Sequence, residues 1–227
     1  MFEPHVILND LEFSEKQIHN YEKEPIETGK IMFYGSSTFT RWSQDYGMRP
    51  LSEDIRKKDG SSIAINHAFG TSTVEELLYY YPRLIRPWKP SALLLTTGLN
   101  DFGRGYSFEE TKALIERLFA YARQDMPGIK LLMTDMRPIL KRKYETDRFY
   151  YDHVDRFNEM VDNFEREYDN FRVIRHRTCP LFYEAPEYTG QYSKIRGDIF
   201  VEDKVHYNQA GYDLYRDFFR KELDEFL

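Results

Sequence analysis

The sequence predicts an α/β protein in three layers, with a parallel sheet between two sets of helices. Three observations carry that prediction. Short apolar runs suited to strands alternate with helix-period stripes from residue 30 to the C-terminus. The run Ala92 to Thr97 is apolar without alternation, as a strand covered on both faces must be. Neither an internal repeat nor a low-complexity linker breaks the series, so residues 1–227 are expected to form one domain joined by right-handed crossovers.

In chain order, residues 1–29 are polar and mixed in sign, and a short helix over Leu11 to Tyr21 makes them a lead-in packed on the sheet. Lys30 to Tyr34 is the first strand, closed by Gly35-Ser36-Ser37, and Thr38 to Asp45 is a short helix carrying Trp42 inward. Ser52 to Lys58 has no clear period. The Asp59-Gly60 turn feeds a second strand, Ser61 to Asn66, which runs into His67-Ala68-Phe69-Gly70. Thr71-Ser72-Thr73 opens a helix whose Glu75 and Glu76 suit the positive N-terminus and which stops near Pro82 or Pro87. The central strand ends in Gly98-Leu99-Asn100-Asp101. Ser107 caps a helix that turns Leu114, Ile115, Leu118 and Ala122 inward and runs to about Arg123. Ile129 to Thr134 is a fourth strand. Asp147 to Tyr168 is a long amphipathic helix with Val154, Phe157, Val161, Phe164 and Tyr168 at spacings of three and four, and Phe171 to Ile174 is a fifth strand. Thr178 to Phe200 has no period and is expected as a long loop. The last helix starts at Asn208 and turns Tyr212, Tyr215, Phe219 and Leu223 inward.

Composition narrows the function. An apolar fraction of 41% with 17 Phe and 18 Tyr excludes a disordered chain. The formal charge of −6 is spread along the sequence, with no basic run longer than the three residues of Lys141-Arg142-Lys143, which argues against nucleic acid as a partner. The single cysteine, Cys179, reads as a small hydrophobe, and no cysteine and histidine spacing suits zinc, so neither a metal nor another cofactor is expected. Met1 to Asp10 lacks the pattern of a signal peptide, and no run approaches the ~18 apolar residues that span a bilayer. A cytoplasmic location is the expectation.

Three strand ends finish in small or amide residues: Gly35 to Ser37, Asn66 to Gly70, and Gly98 to Asn100. In a parallel sheet all three share one edge, where α/β sheets place ligands. An acyl-transfer site needs a nucleophile with donors aimed at the developing oxyanion, and Ser37, Gly70 and Asn100 are the right chemical types. A serine nucleophile needs a base, and the base an orienting acid. Of the six histidines, only His206 has an aspartate three residues earlier, Asp203, just before a helix start. Alone, that pair also suits a polar helix cap. His5, His19, His153 and His176 read as surface or core polar residues, and His67 as a partial exception beside a site loop.

The α/β-hydrolase elbow does not fit, because Phe39 stands where its second glycine belongs. Gly35-Ser36-Ser37, Asn66 with Gly70, Gly98-x-Asn100-Asp101 and Asp203-x-x-His206-x-Asn208 together resemble the SGNH hydrolase superfamily, the GDSL-like lipases and esterases, from about residue 30 to the C-terminus. The resemblance implies a flavodoxin-like five-stranded parallel sheet and ester hydrolysis through an acyl-enzyme. It implies Ser37 as nucleophile, His206 as base and Asp203 as its orienting acid, with an oxyanion hole of the Ser37 and Gly70 N–H groups and the Asn100 amide. One departure is Ser36, which stands where the family's Gly-Asp-Ser has its aspartate. That start is similar to a branch resembling the platelet-activating-factor acetylhydrolase subunits and sugar acetylesterases.

The leading expectation is a serine esterase for small acyl groups, acetyl esters of carbohydrates among them, with Tyr183, Tyr188 and Tyr192 available to stack on a sugar. The alternatives are a lysophospholipase or thioesterase for longer chains and a catalytically retired module that only binds its ligand. A nucleotide binder would need a glycine-rich phosphate loop that the chain lacks. The oligomeric state is left open.

Overall fold

The computed structural model describes residues 11–137, 139–140, 148–184 and 194–227. Five strands, β1 (Ile31–Gly35), β2 (Ala64–Asn66), β3 (Ala92–Thr96), β4 (Lys130–Thr134) and β5 (Phe171–Ile174), form one sheet in the order β2-β1-β3-β4-β5, with every pairing parallel. The order reverses at β1, which opens a crevice between the carboxyl ends of β1 and β3. The expected Lys30 start of β1 and Ser61 start of β2 lie just outside the ladder.

Because side chains alternate along a strand, the sheet serves two cores. Met32 and Tyr34 face one cluster with α1 (Leu11–Tyr21), α4 (Val74–Leu84), α6 (Phe108–Asp125) and α7 (Arg148–Glu167). Ile31 and Phe33 face the other, with α2 (Ser37–Thr40), α3 (Leu51–Asp54) and α8 (Gln209–Glu222). The stripes read from the sequence are buried as expected: Phe157, Val161 and Phe164 on α7, and Tyr212, Tyr215 and Phe219 with Leu223 after α8. Trp42 lies wholly in the second core, and its indole N–H donates to the buried Asp54 at 2.8 Å. Among the described residues no helix is long and apolar enough to cross a membrane.

One boundary differs from expectation. The helix that carries Trp42 inward is shorter than Thr38 to Asp45: α2 ends at Thr40, and Trp42 follows in the turn. α4 runs through Pro82 and stops at Leu84, between the two prolines expected to end it, with Tyr80, Tyr81 and Leu84 anchored in the core. Gly98, where the central strand is expected to end, leads into a one-turn helix, α5 (Leu99–Gly103).

The crevice depends on Gly35. Its φ is +146°, and a methyl group built on it would lie 2.1 Å from the Thr96 carbonyl oxygen of β3. Only a residue without Cβ lets β1 and β3 approach so closely at their ends. Gly35→Ala should lower the unfolding free energy by about 2 kcal/mol or more, as backbone strain and overpacking do, which denaturant titration beside the unaltered protein measures.

Candidate active site

Ser37 is the first residue of α2, immediately past the end of β1, so its hydroxyl stands over the crevice. His206 reaches it from the opposite end of the chain. The Ser37 hydroxyl donates to His206 Nε2 at 2.9 Å, and His206 Nδ1 donates to Asp203 Oδ2 at 2.6 Å. The loop before α8 fixes this arrangement locally. Asp203 Oδ1 accepts the backbone N–H groups of Val205 and His206, both at 2.9 Å, and Lys204 turns the chain with φ +57°. The sequence reading thus chose three residues that the structure brings into one hydrogen-bonded line.

Electrostatics poise the line for proton transfer. Burial would raise the Asp203 carboxyl, but hydrogen bonds from the His206 ring and the two backbone N–H groups overcome it and hold it at about 2. Burial lowers His206, and the nearby Arg137 and Arg41 add to that. The Asp203 hydrogen bond opposes them, and the imidazole ends below its ordinary 6.5. The ring is therefore neutral at pH 7, with the proton on Nδ1 and a lone pair on the nitrogen facing Ser37.

Around the line is a cavity of about 310 Å³. Its walls include Ser36, Ser37, Gly70, Thr71, Asn100, Asp203 and His206. Asn100 is oriented by one amide proton, donated to the Ser72 carbonyl at 3.0 Å, which leaves the other. Gly70 departs from expectation: its N–H donates to Gln17 Oε1 on α1 at 3.1 Å and is already engaged. The neighbouring Thr71 holds φ +62°, and its N–H makes no hydrogen bond among the described residues. Sequence reasoning missed Thr71, and also Arg41, Tyr46 and Arg137, which share the cavity wall. Thr71 and Arg41 lie one and four residues from predicted site residues, and adjacency was the signal that could have found them, whereas Arg137 arrives by packing on Thr38 across 99 residues.

The loops are held by shared acceptors. The Gly35 carbonyl accepts from Phe69 N–H and Ser72 Oγ, each at 3.0 Å, and Asn66 Nδ2 donates to the Phe39 carbonyl at 2.7 Å. Ser36 makes no side-chain cap bond, whereas its carbonyl accepts from Phe39 and Thr40. The wholly buried Asp101 accepts Val74 N–H at 2.8 Å and Gly98 N–H and Thr97 Oγ1 at 3.2 Å, tying the end of β3 to the start of α4. Burial nonetheless pushes its carboxyl up to about 6.

Other candidates lie elsewhere. Tyr183 is buried and bridged to Ile195 rather than open for stacking, so a sugar-stacking role for it is withdrawn. Tyr188 and Tyr192 lie outside the described residues, as do His5 and Lys141-Arg142-Lys143. His67 is buried against Tyr21 and Trp88, with Nδ1 2.9 Å from the Leu84 carbonyl, away from the cavity wall. Cys179 is half-buried, and burial raises its thiol. Among the described residues no group of three or more His, Cys, Asp or Glu is arranged to hold a metal ion.

Residues 33–214 match the GDSL-like lipase/acylhydrolase family, and the chain belongs to it. It is a carboxylic ester hydrolase of that family. The fold is similar to that of a GDSL-like lipase from Bacteroides thetaiotaomicron, at 13% identity over 94% of this chain and 98% of that one, with a TM-score of 0.69. It is similar to an acetyl xylan esterase at 19% identity over 86% and 99% of the two chains, with a TM-score of 0.66. It is also similar to a psychrotrophic esterase from Pseudoalteromonas sp., at 13% identity over 86% and 97%, with a TM-score of 0.64. No curated protein compared by sequence matches the chain.

The tie at Asp101 is testable by stability. In Asp101→Asn one of the two acceptor oxygens becomes an N–H₂ facing a donor, and about 1–3 kcal/mol of unfolding free energy should be lost. An unchanged urea midpoint would show that this carboxylate does not hold the loops.

Proposed function

We propose that this GDSL-like acylhydrolase is a serine esterase for short acyl esters, with Ser37 as nucleophile, His206 as general base and Asp203 as the acid that orients it. The observation that carries the reading is the unbroken line of hydrogen bonds from Ser37 through His206 to Asp203 at the wall of one cavity. Ser37 Oγ attacks the ester carbonyl while His206 Nε2 takes its proton. The Asp203 carboxylate stabilises the imidazolium, which then protonates the leaving alkoxide. Water, deprotonated by the same nitrogen, hydrolyses the acyl-enzyme.

The oxyanion is received by the N–H groups of Ser37 and Thr71 and the remaining amide proton of Asn100. Thr71 replaces Gly70 in this role because the Gly70 N–H already has Gln17 as a partner. A short acyl group is favoured over a long chain by the walls, where Leu99, Met136 and Val205 are the main apolar side chains among serines, threonines and arginines. Tyr46, 40% exposed at the cavity wall beneath the Arg41 guanidinium at 5.3 Å, supplies the stacking face for a carbohydrate alcohol.

Hydrolysis of p-nitrophenyl acetate tests the roles. Ser37→Ala should abolish turnover above background, and Asn100→Ala should lower it by about 10² to 10³. Gln17→Ala should leave it nearly unchanged. Equal rates for Ser37→Ala and the unaltered protein would defeat the serine mechanism, and a rise in Gln17→Ala would return the donor role to Gly70.

The pH profile tests the base. A depressed His206 keeps its lone pair free to below pH 6.5, so the acid limb of kcat/KM should fall below that value. Arg41→Gln removes a positive charge that disfavours imidazolium, and should move the limb to higher pH. A limb that stays in place at low ionic strength would remove Arg41 from the electrostatics of the base.

A further inference from the structure

We propose that the candidate site takes esters whose alcohol or acyl part carries a carboxylate or phosphate group, and that Arg137 holds that group. The inference rests on the esterase reading of Ser37, His206 and Asp203 and names the substrate class for that site.

Arg137 follows β4, lines the cavity and is 7% exposed. Among the described residues its guanidinium makes one hydrogen bond, from Nε to Thr38 Oγ1 at 2.8 Å, beside the nucleophile. Its Nη1 is buried without a partner, and the group lies over the Tyr207 ring at 5.2 Å. An arginine remains charged in any protein environment, and a buried charge without a counter-ion is costly. Other shielded arginines have acid partners: Arg104 pairs with Glu76 at 3.0 Å, and Arg175 and Arg177 both reach Asp162.

The two acids in the cavity wall are already engaged. Asp135 accepts His176 N–H at 2.7 Å and Arg177 N–H at 3.2 Å, and faces the Arg177 guanidinium. Asp203 is held by His206, with Arg41 at 3.6 Å as a further cation. The wall's two arginines and two aspartates balance in number, but both aspartates are engaged by other groups, which leaves the Arg137 guanidinium without an acid partner among the described residues. A substrate anion supplies the missing partner. Carboxylate and phosphate oxygens both fit the fork of a guanidinium.

Two matched pairs of esters test this. 4-Acetoxyphenylacetate beside its methyl ester places the charge on the alcohol part, and mono-4-nitrophenyl succinate beside its methyl ester places it on the acyl part. In at least one pair kcat/KM should favour the anion by about tenfold or more, the scale of a charge-assisted hydrogen bond. That ratio should fall to near one in Arg137→Gln, be largely kept in Arg137→Lys and shrink with added salt. The pair that responds identifies which part carries the charge. A ratio equal in Arg137→Gln and the unaltered protein, or near one in both pairs from the start, overturns the proposal. If Arg137→Gln does not fold, inhibition of p-nitrophenyl acetate hydrolysis by phenylacetate and succinate is compared with that by phenylacetamide and succinamide. Stronger inhibition by the anions supports the proposal, and equal inhibition overturns it. Inorganic phosphate beside acetate ranks the two anion types. Turnover of neither pair above the Ser37→Ala background would instead defeat the esterase reading, and this proposal with it.

Discussion

Everything at the candidate site depends on how closely the ends of β1 and β3 approach at Gly35. The Thr96 carbonyl occupies the space a side chain would need, so the chain leaves β1 through a backbone geometry that glycine alone adopts without strain. That exit aims the next residues, Ser36 and Ser37, over the crevice rather than along the sheet. The Gly35 carbonyl in turn gathers Phe69 N–H and Ser72 Oγ, so the loop after β2 is hung on the same residue. One close approach between parallel strands therefore sets the place of the serine and the path of the loop that carries Thr71. The wider sheet, with two cores of its own, holds that approach rigid.

The electrostatics have a comparable economy. Burial alone would raise Asp203 and lower His206, and with no other influence the pair would favour its neutral forms. The His206 ring N–H, with the two donors from the loop backbone, reverses the balance for the aspartate and leaves it ionised. Burial, with the two arginines adding to it, keeps the histidine neutral until it receives a proton. In the proposed mechanism this is the required starting state, a base with an unprotonated lone pair beside an acid already charged. The same arginines oppose the imidazolium that forms next, so an anionic group on the substrate would relieve the repulsion at the step where it matters. On the proposed reading, recognition and base strength are coupled through one pair of cations.

What was legible in the sequence is what short-range chemistry encodes. The parallel sheet between two helix layers follows from alternation and crossover rules, and the 2-1-3-4-5 order agrees with the flavodoxin-like sheet that the resemblance implies. Asp203 and His206 could be paired because three residues of loop are enough for the carboxylate to fold back. Gly70 was chosen because oxyanion donors are typically backbone N–H groups beside glycines, and because the resemblance implies one there. Thr71 nonetheless takes the left-handed conformation, held there by the bonds of Phe69 and Ser72 on either side. Tyr183 looked like a free loop aromatic, but its bridge to Ile195 draws it into the core. Arg137 was invisible because it meets Thr38 across 99 residues, and no local pattern marks an arginine for burial.

The position of Arg137 also bears on the size of substrate the cavity suits. A long acyl chain needs a continuous apolar wall, since each buried methylene contributes about 0.8 kcal/mol only when it leaves water for apolar surroundings. Here such a chain would cross a buried guanidinium beside the nucleophile and forfeit that gain while desolvating a charge. A short acyl group avoids the conflict, and a charged substituent turns the same guanidinium from an obstacle into a partner. Size and charge selectivity then share one origin: a cation that the protein buries close to Ser37 and does not neutralise with an acid of its own among the described residues.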